Sequence, residues 1–394
     1  MNSKNYNLYT ISFIILILDC AFSYITKSLL SGYIAIICLL CFISSLLVYK
    51  ERRSLSFYGI ITYIILSYGF MYSFRFDFNK SIVAVVKFLP VITLFMISKE
   101  NLLILKDKIV RFFSVLVFAS LIIYIFKIAG VSLPIYEKTY LWQYEIVNYY
   151  YIYTDAVRYV SAFTGFCLEA GYFGFLCICL LALEKFDLRK RTSQIFTLAI
   201  VLSMSLEAYI LFAIGILLYS ISRGEDIAKI TKYFIAAFIV LMLAVIIATN
   251  YNGGDNIVGE KIFERLEYDE ELGIVGNNRE SDNAAEIVDR YFYSNSVWLG
   301  IGHDKFDNLI TNKGFDICSW RAFVIIYGAI YTIIVFGFSI FCLLKTNIKK
   351  TFPFFVIFWA DFIVHASISS ESLYILIIIL LLSNRKEKEE ISYY

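Results

Sequence analysis

At 394 residues the chain is long enough for two or three soluble domains, yet 60% of it is hydrophobic, 18% aromatic and only 17% charged. A water-facing surface needs about a quarter of its residues charged, so a soluble multidomain protein is excluded. Thirty-five basic against 33 acidic residues leave no basic excess for nucleic acid, and seven of the eight cysteines sit inside apolar runs with no disulfide or metal-site spacing.

The composition predicts an all-α, polytopic integral membrane protein. Apolar windows of about 20 residues, enough to cross a ~30 Å hydrocarbon core, fall near 8–26, 30–49, 55–74, 81–98 and 109–130, which makes 1–130 a block of five transmembrane helices. No cleavable signal peptide is expected, because the first run is as long as a span and no small-residue cleavage site follows. The connection 131–157 is crowded with Tyr136, Tyr140, Trp142, Tyr144, Tyr149, Tyr150, Tyr151 and Tyr153. Such rings suit a membrane–water interface; stacking on sugar faces is the alternative. Helices 6–9 are expected over 158–250, with spans at 160–183 and 233–250. Between them 195–222 is too long for one untilted helix and lies between two basic connections, so it must enter and return. Two short helices, 195–204 and 207–222, turning at Ser205-Leu206-Glu207, achieve this. A hydrophilic loop over 251–319 carries six basic and fourteen acidic residues, with helix favoured over 260–267 and 284–293. Spans at 322–344, 351–368 and 371–384 place helices 10–12 in 320–384, and 385–394 is a short tail.

Charge sets the orientation of these twelve expected crossings. Alternate connections hold twenty basic residues, whereas the opposite short connections hold five: Lys27, Arg75, Lys80, Lys138 and Arg158. Basic residues collect on the cytoplasmic side. Both termini are therefore expected in the cytoplasm, and the segments 131–157 and 251–319 outside it, as periplasmic loops. No internal repeat is visible, which weakens transporter folds built on inverted repeats.

Polar residues inside spans are functional candidates because each is costly there unless paired. Arg158 is expected at the outer mouth of the sixth span and Glu169 about three helical turns deeper; together they suit an anionic headgroup and a proton acceptor. Interfacial snorkelling of Arg158 and a structural pairing of Glu169 are the alternatives. In the long loop Arg265, Arg279 and Arg290 present planar forks that match phosphate oxygens, or they neutralise the loop's own carboxylates. His303 lies in Trp298-Leu299-Gly300-Ile301-Gly302-His303, where two glycines permit a tight turn and an imidazole can accept a hydroxyl proton; a surface His on a turn is the bland reading. Asp361 and His365 share a helix face as a relay or a structural pair. Asp19, Lys87, Lys127 and Glu207 stand isolated and receive no role. No metal-ligand spacing and no nucleotide motif is present.

These residues together resemble the O-antigen polymerase and ligase superfamily, the Wzy-type proteins of bacterial polysaccharide assembly. The likeness covers about 155–335. It rests on Arg158, Gly165 and Glu169-Ala170-Gly171, on the serine-containing turn Leu202-Ser203-Met204-Ser205, on the large outer loop, and on Trp298 to His303 followed by Tyr327-Gly328. The sequence departs from the family where Leu206-Glu207 follows Ser205, where Ala170 stands for a usual Pro, and where His303 abuts the Gly-x-Gly turn. That last departure speaks against a ligase.

The resemblance implies a metal-independent, GT-C-like membrane glycosyltransferase without cofactor, in the bacterial inner membrane. Its substrates would be undecaprenyl-diphosphate-linked oligosaccharides, and its partners a chain-length regulator and a flippase. Arg158, Arg279 and Arg290 would hold the diphosphate, with His303 or Glu169 as the base. The alternatives are a polysaccharide flippase or secondary transporter, for which the 69-residue outer loop is awkward, and an O-antigen ligase.

Overall fold

A computed structural model describes residues 3–20, 23–26, 33–48, 57–95, 99–141, 144–156, 162–225, 268–269, 273–274, 284–313, 317, 320–344 and 346–364. Of these, 74% are helical. A backbone whose side chains are mostly apolar cannot look to water, and a helix closes its hydrogen bonds within the segment. Two compact units divide the chain: Met1–Phe113 with Glu280–Tyr394, and Ser114–Arg279. The spans expected at 233–250 and 371–384, and the helix expected over 260–267, lie outside the described residues.

The first unit begins with α1 (Ser3–Cys20) packed on α2 (Ile34–Val48), then α3 (Phe57–Ser73) packed on α4 (Phe78–Lys87) and α5 (Pro90–Leu94). The single span expected over 81–98 is two pieces instead. Pro90 has no N–H with which to continue the α4 ladder, and it opens α5 at the first turn, where none is needed. Asp19 and Lys87 meet between α1 and α4 at 2.7 Å with side chains 3% and 10% exposed, so neither is isolated. Next, α6 (Lys99–Ile128) runs for 30 residues, roughly 45 Å at 1.5 Å per residue. Val115, Phe118, Ile122 and Ile125 stand exposed along it at three- and four-residue spacing, the stripe that a lipid-facing helix presents.

The second unit corrects the all-α expectation. The strands β1 (Glu137–Leu141), β2 (Tyr144–Tyr149) and β3 (Tyr153–Ala156) form an antiparallel sheet in that order, with Tyr140 opposite Glu145 and Val147 opposite Asp155. Aromatic and β-branched residues favour a pleated surface, and the tyrosines of this connection serve that purpose. Its second turn holds Tyr150 and Tyr151 at φ 51° and 62°, secured by the Tyr151 amide donating to Asn148 Oδ1 at 2.7 Å. Lys127, on α6, pairs with Asp155. The helix expected from 160 starts only with α7 (Ala170–Leu183). Before it the chain is extended and turns at Gly165, whose carbonyl accepts the Thr154 amide at 2.7 Å. Phe163 stacks on Tyr153 at 5.9 Å and meets Phe173 edge-on at 4.9 Å, closing an aromatic core with Tyr124. Both α8 (Arg191–Leu202) and α9 (Leu206–Arg223) pack on α7. They are separated by Ser203-Met204-Ser205, where the Ser205 hydroxyl caps α9 by accepting the Ala208 amide. Two residue pairs, β4 (Tyr268–Asp269) and β5 (Gly273–Ile274), form a small hairpin.

The chain re-enters the first unit at α10 (Ala284–Phe292), followed by a 3-10 turn at Asn295–Val297, α11 (His303–Lys313), α12 (Trp320–Tyr327), α13 (Ala329–Leu344) and α14 (Ile348–Val364). The span expected over 322–344 is broken at Gly328, where α12 and α13 bend by 116°. Among the described residues two helices, Glu100–Ile128 and Leu206–Arg223, are long and apolar enough to cross a membrane, and the bent pair adds a third if it acts as one span. α12 packs on α3 and α14, and the Tyr331 hydroxyl donates to the Ile65 carbonyl at 3.1 Å.

Candidate functional site

The break at Gly328 leaves the last carbonyls of α12 without partners in the helix, since an interrupted ladder cannot supply the following N–H groups. The loop before α11 supplies them. The amides of Ile301 and Gly302 donate to the carbonyls of Ile325 and Ile326 at 2.8 and 3.0 Å, and the Ile330 amide donates to the Trp298 carbonyl at 3.2 Å. Only glycine allows this approach. Gly300, Gly302 and Gly328 have φ of 71°, 82° and 88°. A Cβ on Gly328 would stand 2.6 Å from the Leu299 carbonyl carbon, and one on Gly302 the same distance from the Ser73 carbonyl oxygen.

His303 emerges from this stitched turn as the first residue of α11, half-buried. Its ring stacks on Phe74 at 4.7 Å and 20°, and stands edge-on to Tyr327 at 5.6 Å. Nε2 lies 3.2 Å from the Tyr327 hydroxyl, with the donor set by the tautomer. Tyr327 is buried and stacks on Tyr331 at 5.5 Å. The imidazole is thus held by an aromatic slot and by the Tyr327 hydroxyl, a geometry that fixes a proton acceptor in place.

The turn between α3 and α4 forms the rest of the cluster. Arg75 and Phe76 both take left-handed backbone, φ 54° and 61°, which costs about 1–2 kcal/mol per non-glycine residue. The turn is closed by the Phe76 amide donating to the Met71 carbonyl at 3.0 Å. It delivers the Arg75 guanidinium to the Gly300 carbonyl at 2.7 Å, over the Tyr72 ring. Asp77 caps α4 by accepting the Lys80 amide at 3.0 Å. The Lys80 ammonium lies 4.3 Å from the Phe74 ring centre and 3.2 Å from Asp304. Tyr291, on α10, donates to the carbonyls of Ser296 and Val324; burial pushes its phenol above the usual value, against a smaller downward pull from Arg75.

The other sequence-derived candidates fall differently. Glu169 is not three turns inside a helix: it is the extended residue that precedes α7 in the second unit, half-buried. The helical expectation fails there because Gly165 turns the chain with φ 56°. Arg290 occupies the last turn of α10, exposed. Arg158, Arg265, Arg279 and His365 lie outside the described residues. Arg75, Lys80 and Tyr327 were given no chemistry by sequence reasoning. The available signal was that two of the five basic residues on the sparsely charged side fall within one six-residue turn. Comparison with models of known families, with curated proteins and with solved structures finds no match to this chain.

Proposed function

We propose that the chain is a polytopic inner-membrane glycosyltransferase, with twelve crossings and cytoplasmic termini, that polymerises oligosaccharide repeat units carried on undecaprenyl diphosphate. The observation that carries this reading is the fixed His303 imidazole, Nε2 at 3.2 Å from Tyr327, beside the cations of Arg75 and Lys80. A diphosphate is already a good leaving group, so the protein has to align donor and acceptor, take one proton and stabilise the departing charge. The acceptor hydroxyl oxygen attacks the donor's anomeric carbon and its proton passes to His303. The bond from that carbon to the diphosphate oxygen breaks, and the oxygen leaves with the electron pair. In this reading Arg158, Arg279 and Arg290 hold the diphosphate from the outer segments, and Glu169 is the alternative base.

The test is complementation of a deletion strain. Loss of the gene is expected to leave single lipid-linked repeat units on the outer leaflet, and His303→Ala to restore no long polymer at wild-type protein levels. Normal polymer from His303→Ala would remove the base assignment. Repeat units stranded on the inner leaflet would overturn polymerisation in favour of flipping.

A further inference from the structure

We infer that the α3–α4 turn is a phosphate-binding site, with Arg75 and Lys80 as its two cations and His303 at its edge. The identity of the phosphate's owner, a lipid-linked glycan, rests on the glycosyl-transfer reading; the site itself does not. Three observations support it. Arg75 is exposed, forms no ion pair among the described residues, and has one edge fixed by the Gly300 carbonyl, which orients the fork's remaining N–H groups for an incoming oxyanion. Second, the left-handed backbone of Arg75 and Phe76, a conformation also taken at Tyr150–Tyr151 and Lys185–Phe186, brings that guanidinium onto the loop. Third, Lys80 is held against the same Phe74 ring that carries His303.

Two carboxylates lie near these cations. Asp77 accepts the Lys80 amide in the α4 cap and keeps its negative charge there. Asp304 is the only carboxylate paired with Lys80 among the described residues, and both side chains are about half exposed, 43% and 58%. An exposed pair of that kind contributes little, so a phosphate carrying two charges can displace Asp304 from Lys80. Asp304 would then act as a counter-ion that occupies the site between ligands. In the proposed topology this turn lies on the outer face, where basic residues are scarce, and it holds two of them.

The experiment uses the full-length protein in nanodiscs and follows the thermal unfolding midpoint against inorganic diphosphate and, separately, against polyprenyl diphosphate in the lipid. Wild type is expected to be stabilised. A rise with the lipid alone assigns the site to a headgroup, a rise with both assigns it to the phosphate itself, and each supports the inference. Lys80→Gln, which removes the exposed pair with Asp304 and the cation over the Phe74 ring, is expected to weaken binding about tenfold, and Arg75→Ala at least as much. Arg75→Lys covers the case in which Arg75→Ala does not fold, and should bind more weakly than wild type. Asp304→Asn separates ligand binding from a structural role: the competing charge is gone, so affinity should rise several-fold. No stabilisation of wild type by either probe, or equal affinity in wild type and Lys80→Gln, would overturn the site. If binding is lost in Lys80→Gln while polymer length in cells is unchanged, the site stands and the glycosyl-transfer reading falls.

Discussion

Gly302→Ala concentrates the physics of the site in a single methyl group. Gly302 has φ 82°, a conformation that costs an L-residue about 1–2 kcal/mol. The new Cβ would also stand 2.6 Å from the Ser73 carbonyl oxygen and 3.0 Å from Arg75 Nε. The second contact involves a side chain that can move, but the first is backbone against backbone, at the end of α3. Relief requires the loop to retreat by about half an ångström or more, which strains the amides of Ile301 and Gly302 on the end of α12; losing one buried hydrogen bond adds roughly 1–3 kcal/mol. A total near 3 kcal/mol lowers the unfolding midpoint of a unit of about this size by roughly 6–12 °C. His303 is the next residue, and a misplacement approaching 1 Å costs about 10²-fold in rate. Differential scanning fluorimetry of the purified protein and gel analysis of polymer length read the two effects. Gly302→Asn adds a sharper control, because Asn tolerates left-handed backbone better than Ala but keeps the Cβ. If Asn rescues fully, conformation alone was at issue and the close approach to Ser73 is irrelevant. If Gly302→Ala melts and polymerises like wild type, the stitched turn does not hold His303.

Lys87→Met leaves the Asp19 carboxylate buried without its ion-pair partner and is expected to cost about 3–5 kcal/mol, whereas Asp19→Leu combined with Lys87→Met should recover most of it; chemical or thermal unfolding in detergent distinguishes them. Tyr327→Phe keeps the stacking on Tyr331 but removes the hydroxyl beside His303. Turnover should fall roughly tenfold, part of the 10²–10⁴ that a positioned base contributes, with KM unchanged and the pH–rate profile displaced. Tyr291, its phenol raised by burial, stays neutral in the folded chain where the unfolded chain ionises. Its contribution is therefore complete below about pH 10 and is lost as pH climbs from there toward the raised folded value. Unfolding midpoints above pH 10 should fall less steeply in Tyr291→Phe than in wild type, and equal slopes would show that the phenol is not the titrating group.

Helix content was legible because apolar runs in this chain have few ways to satisfy their backbone. The helix over Ala284–Phe292 was announced by its helix-favouring pattern, and the pair on either side of Ser203–Ser205 by an apolar run too long for one span between two basic connections. The glycine pair at Gly300 and Gly302 marked a tight turn next to a histidine. The sheet over Glu137–Ala156 was missed because its tyrosines also suit a membrane interface, and composition cannot separate a belt from a strand. The bends at Pro90 and Gly328 were missed because a hydropathy window averages over about 20 residues and passes over a single breaker, although Pro90 and Gly328 were themselves the available signal.

Composition and local pattern by themselves determined that this chain is mostly helical, apolar enough to enter a membrane, and turned sharply before His303. Tertiary structure alone decided what His303 faces. Phe74 and Arg75 are separated from it by more than 200 residues of chain, and their meeting depends on unpaired carbonyls at the end of α12, which the Gly300–Gly302 turn satisfies. A hydrogen-bond debt created at one break and settled by a distant loop leaves no trace in local spacing, because neither segment shows it until both are folded.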